Sequence, residues 1–406
     1  MNQELQDGNV FLDDRWPGFQ ALRMDDCLPR RCMKSFAASF FGRRVNVKQA
    51  QREGMDLYVR SLRELNDQLS RPTRSSAGQT VLSIAILTMC EYLTATSGTA
   101  WIQHMLGMTE YFRIQGFEIF EQPYTMWAFQ TDRYSMILAA VAARCPTCLA
   151  SEEWKTLPWA VSQTPKSPVG YLVDLASELP GLYVKFVRYL KTADACAQAE
   201  LNLSLEADFA DLLERMRNWH IQWEREAKPQ AEEVPLSQGE QQRFGFTSKL
   251  VFEDIADSGY TFIVYNATVI ILLELWKTLR KTRIALSTSP KATIEGDPTR
   301  LPNLCENELG GDANDGLSRI SSASLVYQAR KAALDICRTI PLYLMPSGSW
   351  THGVQMAIAI RMALIVFRQE VGSPQAAWLE DCMQQLGKSQ RGWDIGRYAM
   401  QSYSYS

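Results

Sequence analysis

The chain has 406 residues, 46 % of them hydrophobic and 21 % charged, with a formal net charge of -3. These values suit a globular protein with a sizeable core, and they exclude a chain-wide basic field for nucleic acid or an acidic field for basic partners. Nine cysteines, an odd number without a repeating spacing, exclude a disulfide framework and suit a reducing compartment, where free cysteine behaves as a small buried hydrophobe.

The start, MNQELQDGNVFLDDRW, is polar and acidic, unlike a secretory signal. Residues 1–44 lack clear periodicity and are expected to be irregular, with a basic stretch, PRRCMKSFAASFFGRR, near their end. From residue 46 onward Met55, Tyr58, Leu62, Leu65 and Leu69 recur at spacings of three and four, which places one stripe on one helix face. After a Pro/Ser/Gly break at 71–78, Val81–Leu93 is apolar on nearly every side, the pattern of a helix surrounded by others. Helices are predicted over 100–114 and 125–145, with Pro123 and Pro146 as boundaries, then over 172–179 and 182–191, divided by Pro180–Gly181.

Leu212, Met216, Trp219 and Trp223 form a stripe that predicts a helix over 208–224. A charged, proline-bearing linker is expected at 226–242 and a second at 287–322, where three prolines and a Gly-Gly pair occur without any aromatic residue. Such segments bury too little apolar surface to offset ordering entropy, and the second is predicted to be mobile. A long apolar helix lies between them at 259–280. Further helices are predicted over 325–340, ended by Pro341, and over 356–370 and 374–386. No apolar run reaches the roughly 20 residues a membrane span needs. With no period-2 run long enough for a strand, the expected class is all-α, stacked antiparallel helices in one large domain spanning 45–400.

The chemistry-bearing residues are sparse. Cys145-Pro-Thr-Cys148 lacks the second pair a zinc site needs and the strand context of a redox motif. Cys27 and Cys32 are too far apart to open a zinc cluster. His104, one turn from Trp101, reads as a partly buried hydrogen-bonding side chain, His220 as solvent-facing, and His352 as a loop residue. Three isolated histidines make no triad. Asp13–Asp14, Asp25–Asp26 and Glu253–Asp254–Asp257 are the candidates for an aspartate-rich magnesium site of the terpene-synthase kind. The third reads more simply as an acidic first turn before the apolar helix. Phosphate loops, dinucleotide fingerprints and nucleophile elbows are lacking, so no catalytic, metal or cofactor-binding residue is assigned, and no residue is assigned to a ligand or a partner. The basic residues Arg30, Arg31, Lys34, Arg43, Arg44, Lys48 and Arg52 are suited to salt-sensitive, sequence-blind phosphate contact or to a solvated surface.

One stretch is more specific. Cys90–Trp159 carries Trp101, His104, Gly107, Gly116, Arg133, Glu153–Trp154 and Pro158–Trp159 in an order that resembles the helical regulatory region of fungal zinc-cluster transcription factors. Three further places resemble the same family: Tyr265-Asn266-Ala267, the stretch from Ala333 to Pro341 with its Cys337–Arg338 pair, and the closing segment with Trp378, Gly392, Trp393 and Arg397. The resemblance implies a nuclear transcriptional regulator from a fungus, in the setting of a secondary-metabolite gene cluster. The six-cysteine cluster that normally precedes this region is not found in the sequence. The implied partner is therefore a second, zinc-cluster transcription factor, with DNA contact indirect or non-specific and a small-molecule effector as a further possibility. The alternatives are an all-helical metal-dependent enzyme and a cytoplasmic helical scaffold.

Overall fold

The computed structural model describes residues 27–70, 77–94, 96–226, 231–288, 321–343 and 353–388. Their architecture is predominantly α-helical, with one small two-stranded sheet. The chain divides into two compact units, one of Met1–Ser177 with Gln385–Tyr398, the other of Glu178–Gln384 with Ala399–Ser406.

The first unit begins with α1 (Leu28–Arg44) and α2 (Lys48–Ser70), an antiparallel pair joined by a three-residue turn. Residues 28–44, expected to be irregular, are thus helical. The periodicity is hidden because, after Leu28 and Pro29 in its first turn, the buried face of α1 is made of small and polar residues, Cys32, Ser35, Ser39 and Gly42. The small seam allows close approach. A Cβ on Gly54 would lie 2.3 Å from Ser39 Oγ, and one on Gly42 would lie 2.6 Å from the Gln51 amide nitrogen. Ser35 Oγ donates to the Gly54 carbonyl at 2.7 Å, and Gln51 Nε2 donates to that of Gly42 at 2.8 Å.

α3 (Ala77–Thr94) is the central helix of this unit, buried from Val81 to Thr88 and again from Cys90 to Leu93. Each buried Leu or Ile contributes roughly 1.5–3 kcal/mol relative to exposure. α4 (Ala100–Gln115) ends at Gly116, whose φ of 73° is a conformation that a side chain disfavours. A short 3-10 turn, Phe117–Glu121, leads into α5 (Pro123–Ala143), followed by α6 (Glu152–Ser162) and α7 (Pro168–Ala176). Phe112, Phe120, Phe129, Trp154 and Trp159 form a connected aromatic core, with successive ring centroids 4.8–6.2 Å apart.

The second unit holds α8 (Leu179–Lys191) and α9 (Ala195–Glu226). Pro180, expected to divide two helices, lies in the first turn of α8, where its missing N–H costs nothing. α9 starts well before the predicted start at residue 208, at a turn where the Asp194 carboxylate accepts from the Ala197 amide at 3.1 Å. After it come β1 (Ala231–Pro235), α10 (Gln238–Phe244) and β2 (Ser248–Phe252), the strands pairing antiparallel with Ala231 opposite Phe252. The expected linker at 226–242 is therefore mostly structured. Ser237-Gln-Gly-Glu240 forms a capping box that starts α10, so a local helix signal sits inside the charged stretch. The remaining helices are α11 (Tyr260–Thr288), α12 (Ser322–Tyr343), α13 (Gly353–Phe367) and α14 (Pro374–Lys388).

α11 is long and apolar enough to cross a membrane by composition, yet 83 % of its apolar window is buried inside the fold. α12 continues two residues past Pro341, since a proline in a last turn forfeits a single hydrogen bond. Most of the second expected linker, residues 289–320, lies outside the described residues.

Candidate functional site

Three buried polar clusters organise the residues singled out by the sequence. In the first unit Arg133 of α5 is 1 % exposed. Its Nη2 donates to Asp174 Oδ1 of α7 at 2.5 Å. Lys166, from the loop before α7, donates to the other oxygen of the same carboxylate and to the Lys155 carbonyl at 2.6 Å. The indole of Trp159 lies 4.9 Å from the Arg133 guanidinium carbon and 4.1 Å from the Lys166 ammonium, so its electron-rich face offsets the second positive charge. Burial lowers the pKa of both cations, and Asp174 opposes the shift. Arg133 Nε and Trp159 Nε1 are buried without a partner. Arg133 and Trp159 of the family-like stretch thus serve one structural clamp across α5, α6 and α7, while Trp154 packs in the aromatic core and Pro158 is buried within α6.

A second cluster joins α2, α3 and α4. Glu91, 3 % exposed, accepts from the Tyr58 hydroxyl, from the Thr96 amide at 3.0 Å and from the Thr96 hydroxyl at 2.6 Å. The Tyr58 oxygen lies 3.2 Å from His104 Nε2. Tyr58 gives its proton to the carboxylate, so its oxygen accepts from an Nε2–H tautomer of His104. Burial lowers the His104 pKa against the pull of Glu91, and burial followed by Glu91 raises that of Tyr58. The partly buried, hydrogen-bonded histidine expected here is observed. Neutral His104 and protonated Tyr58 stabilise Glu91, an arrangement without a nucleophile.

In the second unit Glu206 accepts from Trp276 Nε1 at 2.6 Å and from Arg280 Nε and Nη2 at 3.0 and 2.9 Å. Lys277, Glu274 and Gln369 close a ring of hydrogen bonds of 2.8–3.1 Å. These pairs let an apolar helix such as α11 carry charge within the core. His220 corrects its solvent-facing expectation: its ring stacks 4.2 Å from Tyr265, and burial lowers its pKa against the pull of Glu224. Adjacent Trp219 and a helix-wide stripe gave no hint of α11 arriving on that side. Tyr265, Asn266 and Ala267, also from the family-like residues, lie on that apolar helix, where Asn266 Nδ2 donates back to the Phe262 carbonyl at 2.9 Å.

Arg338 explains the late motif. It donates to Ser248 Oγ at 2.9 Å and pairs with Glu233 Oε1 at 2.6 Å, tying α12 to the β-hairpin, while Cys337 is fully buried. Trp378 packs on Phe244 and Phe246, with centroids 5.0 and 5.3 Å away. Gly392, Trp393, Arg397 and His352 lie outside the described residues.

Asp254 Oδ1 accepts from the Asp257 amide at 3.0 Å, capping a π-helical turn at Ile255–Gly259. The acidic run therefore starts that turn rather than α11 itself. Asp13–Asp14 and Asp25–Asp26 lie outside the described residues. Among the described residues no three His, Cys, Asp or Glu side chains are grouped to hold a metal ion. Cys145 and Cys148 are free thiols, both with pKa raised by burial. Of the basic stretch, Arg31 pairs with Glu64, whereas Arg43, Lys48 and Arg52 converge where α1 meets α2.

The family model of the fungal specific transcription factor domain matches residues 31–292, from α1 to just past α11. No curated protein and no solved structure matches the chain. Its clamps thus hold together a regulatory helical fold: the chain belongs to the fungal specific transcription factor domain family, a family of transcriptional regulators.

Proposed function

We propose that this chain regulates transcription in the fungal nucleus through a protein partner, a DNA-binding regulator of the zinc-cluster type, and that its targets form a secondary-metabolite gene cluster. The observation that carries the partner reading is the use made of the cysteines. Cys32, Cys90, Cys337 and Cys382 are buried helix residues, and burial is the first cause raising each thiol pKa. A thiolate ligand needs the opposite environment. Specific readout also needs side chains held rigidly in a groove, and the basic residues on α1 and α2 supply only charge. The gene-cluster role and the nuclear address rest on the family.

The test combines affinity purification of the tagged chain from fungal nuclei with DNA binding by the pure full chain. A zinc-cluster protein is expected to co-purify, with promoter footprints that need both proteins and cluster genes that fall silent on deletion. Sequence-selective binding by this chain alone at physiological salt would refute the partner model, and a fusion excluded from nuclei would refute the nuclear one.

A further inference from the structure

Where α1 turns into α2, a cavity of about 320 Å³ opens beside the end of α3. Ser39 and Arg43 line it from α1, Lys48, Gln51, Arg52 and Met55 from α2, and Thr94 from α3. Three of those seven side chains are cationic, and among the described residues no acidic side chain lines the space. Glu53 and Asp56 are carried by α2 but are not part of the lining. Among the described residues Lys48 and Arg52 take part in no ion pair, whereas Arg113, Lys155, Lys185, Arg215, Arg243, Arg330 and Arg368 all do. Arg43 Nη2 reaches the Thr94 carbonyl at 3.5 Å, which holds its guanidinium against the cavity wall.

We propose that this cavity binds a small organic anion carrying a phosphate or carboxylate group. The Arg52 guanidinium fork and the Lys48 ammonium, beside Arg43, line a volume at the small end of ligand pockets, about 300–1,000 Å³. Guanidinium forks match the paired oxygens of both anions, and the ammonium supplies a point charge. Met55 and the methylene stems of the basic side chains provide an apolar wall for a short carbon skeleton. The close α1–α2 approach at Gly42 and Gly54 holds the two helices that carry the cations at a set spacing, so the site is largely formed before binding. The inference stands independently of the proposed partner.

Calorimetric titration of the full chain with inorganic pyrophosphate and with citrate tests it, with glycerol as the neutral control. Saturable binding of at least one anion is expected, and the stronger of the two identifies the headgroup. Lys48→Gln and Arg52→Gln should each weaken it about tenfold, the cost of one charge-assisted hydrogen bond. Lys191→Gln, an exposed cation on α8, should leave it unchanged. Circular dichroism melts check that the variants fold, which their surface position favours. No saturation below about 10 mM, or equal binding by the variants, would overturn the proposal. Tighter binding of a short DNA duplex, lost in the same variants, would instead make the cavity part of a nucleic-acid face.

Discussion

Asp132 precedes the clamp arginine on α5 and has no cation of its own. Burial raises its pKa from 3.8 to about 7. A carboxyl whose folded pKa is raised holds its proton more tightly in the folded chain. Its stabilising contribution is complete below pH 3.8 and declines as pH rises, levelling off once pH passes the folded value near 7. The span sets an upper bound of about 4 kcal/mol, lowered because the side chain keeps some solvent access. Asp132→Asn is therefore expected to raise Tm at pH 8 and to have little effect at pH 4, with the difference developing between them. Thermal melts across that range check it; a gain of equal size at both pH values would contradict it. Asp174 stands in contrast, because Arg133 and Lys166 both pair with its carboxylate.

At the scale of elements, the glycines separate packing from punctuation. Gly42 and Gly54 lie in the α1–α2 seam, where a Cβ would meet backbone or a short side chain at 2.3–2.7 Å. Gly42→Ala and Gly54→Ala are each expected to destabilise by roughly 1–3 kcal/mol, the range for overpacking a close contact. Gly107, one of the family-like residues, is inside α4, where an added Cβ would meet nothing within 4 Å and the backbone is ordinary helix. Gly107→Ala should stabilise by about 0.5–1 kcal/mol through the lower entropy of its unfolded chain. Urea melts of the three variants decide the matter: a loss at position 107 would assign it a role beyond helix geometry. The seam also accounts for the failure of periodicity to show α1. A stripe of Cys, Ser and Gly carries no hydrophobic signal, although its residues are buried in the α1–α2 contact.

For the whole molecule, the thiols report on the fold without perturbing it. Among the eight described cysteines Cys196 is exposed, Cys27, Cys145 and Cys148 are partly covered, and Cys32, Cys90, Cys337 and Cys382 are buried. Of these eight, a thiol reagent added to the native chain is expected to label Cys196 first, and the four buried cysteines only at the rate of opening. Mass spectrometry of labelled peptides over time checks this order, and prompt labelling of Cys90 or Cys337 would contradict the packing of α3 and α12. The same burial separates these cysteines from a metal-binding role, in line with the proposed dependence on a DNA-binding partner.

The sequence by itself determined the helical class, the all-round burial of α3 and the run of α5 and α11, because periodicity and apolar content are local properties of a chain. It also carried the family, through residues whose order outlasts their individual meaning. Tertiary structure alone decided what those residues do. Arg133, Lys166 and Asp174 meet only because α5 and α7 pack together, and nothing in their spacing pairs them. His220 became half-buried when Tyr265 of α11 stacked on its ring. The β-hairpin formed in a charged, proline-bearing stretch because Arg338, some ninety residues along the chain, supplies Glu233 and Ser248 with a partner. The cationic cavity likewise depends on a turn that brings Arg43, Lys48 and Arg52 to one place. Contacts between positions far apart in sequence are set by which faces become neighbours, and a single chain's local pattern does not encode that choice in readable form.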